Sequence, residues 1–131
     1  YVKLNWVHMI VCYKKSNNPK KVLTQWYLTN AKEKFQEYDI VIRNKFKKYW
    51  VSPNSLIVRS MKARWWSCTK KWNIVLNTAL VQAPRWCIEY VMNHEYCHLI
   101  EFWHTRKFYE LQETTMPDWK KRKNKLERLL A

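Results

Sequence analysis

The chain has 131 residues, 47% hydrophobic and 16% aromatic, with a formal net charge of +15. That length holds one domain with a modest core, and that apolar content excludes an intrinsically disordered chain. No run of about 18 apolar residues occurs and no charged-then-apolar leader opens the chain, which points away from a membrane partner and towards a cytoplasmic protein.

We read residues 1–131 as a single domain. Because the chain opens at Tyr1 and not at methionine, an N-terminal piece is expected to be missing. The first fifteen residues are rich in β-branched side chains and read as one or two strands turning near Trp6. "SNNPK" is a loop that leads into a helix. From about residue 20 to residue 49, Val22, Trp26, Ala31, Phe35, Ile42 and Phe46 recur near the helical period, which predicts a long amphipathic helix with a break near Tyr38. "SPNS" ends it. "LIVRSM" and "NIVLNTAL" read as two strands joined by the basic loop "KARWWSCTKKW". Pro84 then opens a helix predicted to run to about residue 102, a second covers residues 105–115, and Pro117 opens a last one to Leu130. The order gives an α+β fold: a short β-sheet with one helix carrying the HExxH segment and further helices flanking it.

The positive charge is spread over residues 14–21, 43–48, 59–71 and 120–128. Phosphate contacts and counterion release make nucleic acid one partner that such a surface could take, and a solvated surface is the plainer reading. Leu126, Leu129 and Leu130 among the last basic residues fit an amphipathic helix. Cys12, Cys68, Cys87 and Cys97 form no CxxC pair. Cys87 and Cys97 would lie about 15 Å apart along one helix, so both read as buried free thiols.

There is no glycine and there are nine tryptophans. Several tryptophans fall where local geometry favours glycine: Trp50 at a helix end, Trp66 in a turn-like run, Trp72 just before a strand. We therefore expect that Trp6, Trp50, Trp66, Trp72, Trp86 and Trp103 correspond to UGA codons that the natural host reads as glycine. Trp26, Trp65 and Trp119 read as genuine tryptophans.

The chemistry concentrates in "HEYCHLIEFWH", residues 94–104. His94 and His98, four apart, project from one helix face and can meet one ion, and Glu95 stands beside the open coordination position as a general base. A catalytic zinc takes a third protein ligand. Glu101 shares the face, but three consecutive turns of a straight helix spread their side chains over about 10 Å, so Glu101 reads as a supporting residue. His104 supplies the third ligand if the helix stops before it, and a left-handed residue at position 103 would make that stop.

At this point the run "RWWSCTKKWNIVLN", then "YVMNHEYCHLIEFWH", then "KFYELQETTMPDWKKRKNKL" resembles the YgjP-like metallopeptidase family. The family pattern reads RWGSC, a glycine-asparagine strand start, HELxH, an asparagine-histidine pair and MPDWxxRK, and the likeness covers roughly residues 50–131. It implies His94, His98 and His104 as zinc ligands, Glu95 as the catalytic carboxylate, and a small zincin related to the gluzincin-like and SprT-like proteases. Trp66 and Trp72 stand at family glycines, and Trp103 where asparagine is usual.

Arg64 and Tyr109 are the candidates for an oxyanion or substrate contact, against plainer roles as a loop hydrogen bond and a core aromatic. Arg59 and Ser67 flank the strand pair, and His8 has no visible partner. The expected protein is a zinc metallopeptidase in which zinc-bound water attacks a peptide carbonyl while Glu95 carries the proton. Its peptide or protein substrate would lie extended beside the "LIVRSM" and "NIVLN" strands. Two readings stay open: a basic nucleic-acid-associated protein, either a DNA-linked protease or a module with structural zinc, and a zinc hydrolase acting on another bond.

Overall fold

The structure is a computed structural model that describes residues 2–4, 9–11, 19–60, 66–68 and 72–130, with backbone alone for 2–4, 9–11, 19, 66–68 and 130. Arg64, Trp6, His8, Cys12 and Trp65, and the side chains of Trp66, Ser67 and Cys68, lie outside the described residues.

Helix α1 runs Pro19–Phe46, starting at a proline whose missing N–H costs nothing in a first turn. Ala31, Phe35, Tyr38, Ile42 and Phe46 are buried, three or four residues apart on one face, and this stripe anchors the core. The expected break near Tyr38 is absent. Tyr38 is itself a core residue, with the Arg85 guanidinium 4.6 Å from its ring centroid, so nothing disturbs the helix there. A 3-10 turn over Lys47–Tyr49 closes the segment, and Trp50 caps it with φ 60 and ψ 30.

Strands β1 (Val2–Leu4) and β2 (Met9–Val11) pair antiparallel, as the opening residues predict. Strands β3 (Ser55–Arg59), β4 (Trp66–Cys68) and β5 (Asn73–Asn77) form a second sheet in the order β3-β5-β4. The loop expected between two strands therefore carries a strand of its own. β4 pairs antiparallel with β5, and β3 runs parallel to β5, so the β3 to β5 connection is a crossover and not a hairpin. Ile74, Val75, Leu76 and Asn77 are all buried, as a central strand covered on both faces requires. The Asn77 side chain then accepts from the Ala79 amide at 3.0 Å and turns the chain into the 3-10 segment Thr78–Gln82.

Helix α2 (Arg85–His98) follows Pro84 and ends at His98, about four residues short of the expected end. Helices α3 (Arg106–Thr115) and α4 (Trp119–Leu130) complete the chain, with the Thr105 hydroxyl accepting from the Phe108 amide to start α3. Two buried polar ties hold α2 in place. The Tyr96 hydroxyl donates to Asp39 at 2.5 Å, and Arg43 pairs with the same carboxylate at 3.2 Å. Lys45 Nζ donates to Asn93 Oδ1 at 2.9 Å, and Asn93 Nδ2 donates onward to Thr115 at 2.9 Å. On α4, Leu126 is buried, Leu129 is exposed, and Arg122 bridges Asp118 at 3.1 Å and Glu89 at 3.6 Å. The whole is a small α+β arrangement. Among the described residues, no helix is long and apolar enough to cross a membrane.

The tryptophans divide by backbone. Among the described residues, positive φ occurs at Trp50 and at Trp72 (φ 63) and nowhere else. Both were singled out as glycine positions. Trp66 lies in the extended backbone of β4, Trp86 in the first turn of α2 under the Arg122 guanidinium at 5.0 Å, and Trp103 in a bend without positive φ. Those three have no backbone requirement for glycine. Trp119 is buried and donates its indole N–H to Glu113 at 2.7 Å, as a genuine tryptophan should.

Candidate metal centre

The site grows from the last turn of α2. His94 and His98 project from one face because they are one turn apart, and the chain then leaves the helix through a turn at Leu99 and Ile100. Four further residues, 101–104, bring His104 back over that face. Because the reversal happens at 99–100, position 103 needs no left-handed residue, which corrects the expectation for Trp103. At 70% exposure the Trp103 side chain simply points to solvent.

The three rings converge. His94 Nε2 lies 3.1 Å from His98 Nε2 and 3.2 Å from His104 Nε2, and one ligand atom from each residue falls within 4.8 Å of the others. His98 is buried, His94 half-buried and His104 exposed, so the cluster opens towards solvent at His104. Phe108 of α3 backs all three, with its ring centroid 4.9 Å from His94, 4.5 Å from His98 and 5.0 Å from His104.

The hydrogen bonds behind the rings set their tautomers. His98 Nδ1 is 2.7 Å from the backbone oxygen of Phe102, which can only accept, so Nδ1 carries the proton and Nε2 presents a lone pair. His94 Nδ1 is 2.9 Å from Gln112 Oε1, with the same result. The 3.1 Å contact between the two Nε2 atoms therefore brings lone pairs together, with no N–H between them. A cation among them removes that repulsion. Nitrogens about 2.0–2.1 Å from a tetrahedral zinc stand about 3.3 Å apart, close to the spacing here, so the residues fit a metal.

Burial first, then the neighbouring His98, holds His94 down to about 3, and burial followed by His104 lowers His98. Both rings are thus neutral at pH 7, the form a metal needs. Glu95 is 2% exposed, burial raises its carboxyl to about 8, and its Oε2 has no hydrogen-bond partner among the described residues. A nearby cation would favour the ionised form. On the opposite side of the helix, burial pushes the Cys97 thiol up to about 12, with Thr115 Oγ1 3.7 Å away.

Other expected site residues fall outside this centre. Glu101 is half-buried and does not join the cluster of ligand atoms, and its amide donates to Cys97 O at 2.9 Å. Tyr109 stacks on His104 with centroids 6.3 Å apart and on Trp119 at 5.9 Å. Arg64 is not among the described residues. Gln112 and Phe108 were not anticipated. The signal for Gln112 was available, since it sits one turn after Phe108 as a polar residue on the apolar stripe of α3.

No curated protein matches the sequence. A family model described as YgjP-like, metallopeptidase domain, matches residues 6–129.

Proposed function

The chain belongs to the YgjP-like metallopeptidase family, and on that premise we propose that it is a zinc-dependent peptidase whose metal is held by His94, His98 and His104. The observation that carries the reading is the meeting of three imidazole nitrogens, with His94 Nε2 3.1 Å from that of His98 and 3.2 Å from that of His104, and with the second nitrogens tied back at His94 and His98. Three imidazoles make a borderline-soft set suited to zinc, and they leave a coordination position open as catalytic sites do. When bound, zinc supplies a Lewis acid that polarises a carbonyl and acidifies water.

The chain's own residues do the rest. Glu95, next to His94, takes a proton from the attacking water on its unpartnered Oε2 and delivers it to the leaving nitrogen. Burial at this carboxyl favours the protonated form, which suits the delivery half of the cycle, and the metal's charge favours the acceptor half. Phe108 keeps water from the back of the imidazoles.

The peptide is proposed to bind as an added strand. β5 is interior in its sheet, so "NIVLN" offers no free edge, and β3 and β4 are the outer strands. α2 packs against β4, which favours the β4 edge over that of β3.

The deciding experiment pairs zinc content with cleavage of an unstructured protein such as casein. The expected result is about one zinc per chain, cleavage abolished by chelator and restored by zinc, and no cleavage by Glu95→Gln with its zinc retained. Normal cleavage by Glu95→Gln would overturn the role of that carboxylate. A parent chain that takes up no zinc would overturn the metal centre.

A further inference from the structure

α3 presents two residues to the histidines, one turn apart: Phe108, against all three rings, and Gln112. Gln112 is 1% exposed, and its Oε1 lies 2.9 Å from His94 Nδ1 while its Nε2 has no partner among the described residues. A buried amide with half its hydrogen-bonding capacity unused is poorly explained by packing, because a leucine or methionine would fill the space without desolvating a polar group. The single bond it makes goes to the histidine whose Nε2 lies 3.1 Å from His98 Nε2 and 3.2 Å from His104 Nε2.

His94 also differs from His98 in what could orient it. The His98 ring is tied to the backbone oxygen of Phe102, a contact that the turn after α2 provides whatever the side chains are. His94, one turn earlier within α2, has no free backbone oxygen to use, since carbonyls there are engaged in the helix. Its orientation must come from a side chain on another element, and Gln112 is the one in place.

We propose that Gln112 is a positioning residue for the metal centre: by accepting the Nδ1 proton of His94 it fixes that ring's tautomer and aims Nε2 at the point shared with His98 and His104. The proposal rests on the metal-centre reading above. Outer partners of this kind change metal affinity by roughly 10–100-fold when removed.

The test uses the full chain, its Gln112→Leu variant and the isosteric Gln112→Glu, which keeps an acceptor. The first measurement needs no variant: nitrogen NMR of the metal-free parent labelled at histidine. His94 is expected to carry its proton on Nδ1, and a proton on Nε2 would overturn the proposal outright. The second is zinc affinity by competition with a chelator. Gln112→Leu is expected to bind roughly 10–100-fold more weakly, with its melting temperature held and His94 present as mixed tautomers, whereas Gln112→Glu binds at least as tightly as the parent. Zinc bound equally well by Gln112→Leu, with the tautomer unchanged, would overturn the role of Gln112 and leave the metal centre standing. Should the parent bind no zinc, the metal centre and the positioning role fall together, while the spectrum still reports whether the hydrogen bond exists. Should Gln112→Leu fail to fold, loss of affinity in Gln112→Glu would overturn the proposal.

Discussion

His98 Nδ1 lies 2.7 Å from the backbone oxygen of Phe102, four residues downstream, and this contact makes the end of α2 and the presentation of Nε2 one event. The helix has to stop where it does for that oxygen to be free. A residue that extends α2 beyond His98 would take the acceptor away and move His104 off the cluster.

Ligand removal follows from this geometry. His98→Ala is expected to abolish zinc binding at micromolar metal, and His104→Ala to weaken it by more than the roughly 10–100-fold typical of an outer-shell change. Equilibrium titration against a chromogenic chelator reads both. Zinc at about 100 times its dissociation constant should stabilise the parent by about 2.7 kcal/mol, seen as a raised melting temperature that His98→Ala lacks.

The metal-free protein should show a composite pH dependence of stability. His94 has its folded value lowered from 6.5 to about 3 by burial, so the unfolded chain binds the extra proton between those values and stability falls as pH drops through that window. Glu95 is raised from 4.5 to about 8 by burial, so the folded chain holds the extra proton and stability falls as pH rises through 4.5 to 8. Between about 4.5 and 6.5 the two oppose each other and nearly cancel. The observable arms are a loss from about 6.5 up to 8, limited to about 1.4 kcal/mol per pH unit, and a loss from about 4.5 down to 3, to which the lowered His98 adds. Glu95→Gln should remove the alkaline arm and let the acid-side loss begin already at about 6.5, since nothing then offsets His94, as urea unfolding at stepped pH would reveal.

Trp50 and Trp72 sit in left-handed backbone, where a Cβ costs roughly 1–2 kcal/mol. Trp50→Gly and Trp72→Gly are each expected to raise stability by about 1 kcal/mol, because relief of that strain exceeds the extra entropy glycine loses. Trp50 is 95% exposed and forfeits little packing. Trp86→Gly is expected to destabilise, since it removes the ring stacked under Arg122 and weakens a helical turn. Thermal melts of the three variants check this. Sequencing the gene is the independent check: UGA is expected at codons 50 and 72, and UGG at both would end the recoding idea.

Phe108→Ala should damage the fold directly. The side chain is fully buried, so its truncation is expected to cost about 3–5 kcal/mol, measured by denaturant unfolding of the metal-free chain.

Features set by short-range spacing were legible in the sequence. The pairing of His94 with His98 follows from a single helical turn, and the stripe Ala31, Phe35, Ile42 and Phe46 from repetition of that turn. His104 could be reached by asking where a third nitrogen must come from, although the device expected at position 103 was wrong, because the turn at 99–100 reverses the chain without it. What depended on pairing across long stretches of chain was hidden. β4 is three residues inside a basic segment and acquires its identity only by bonding to β5. The Lys45 to Asn93 hydrogen bond spans 48 residues, and no local pattern announces it. Gln112 falls between these cases, visible as an odd polar residue on an apolar face but not assignable until His94 stood beside it.

The Cys97 thiol, one residue before His98 and held near 12 by burial, keeps its proton at any physiological pH. A thiolate at that position would react with peroxide, yet the nucleophilic form is absent in the folded chain. Alkylating reagents should leave Cys97 untouched until the helices part, so the rate at which it becomes labelled is a direct clock for opening of the protein around its histidines.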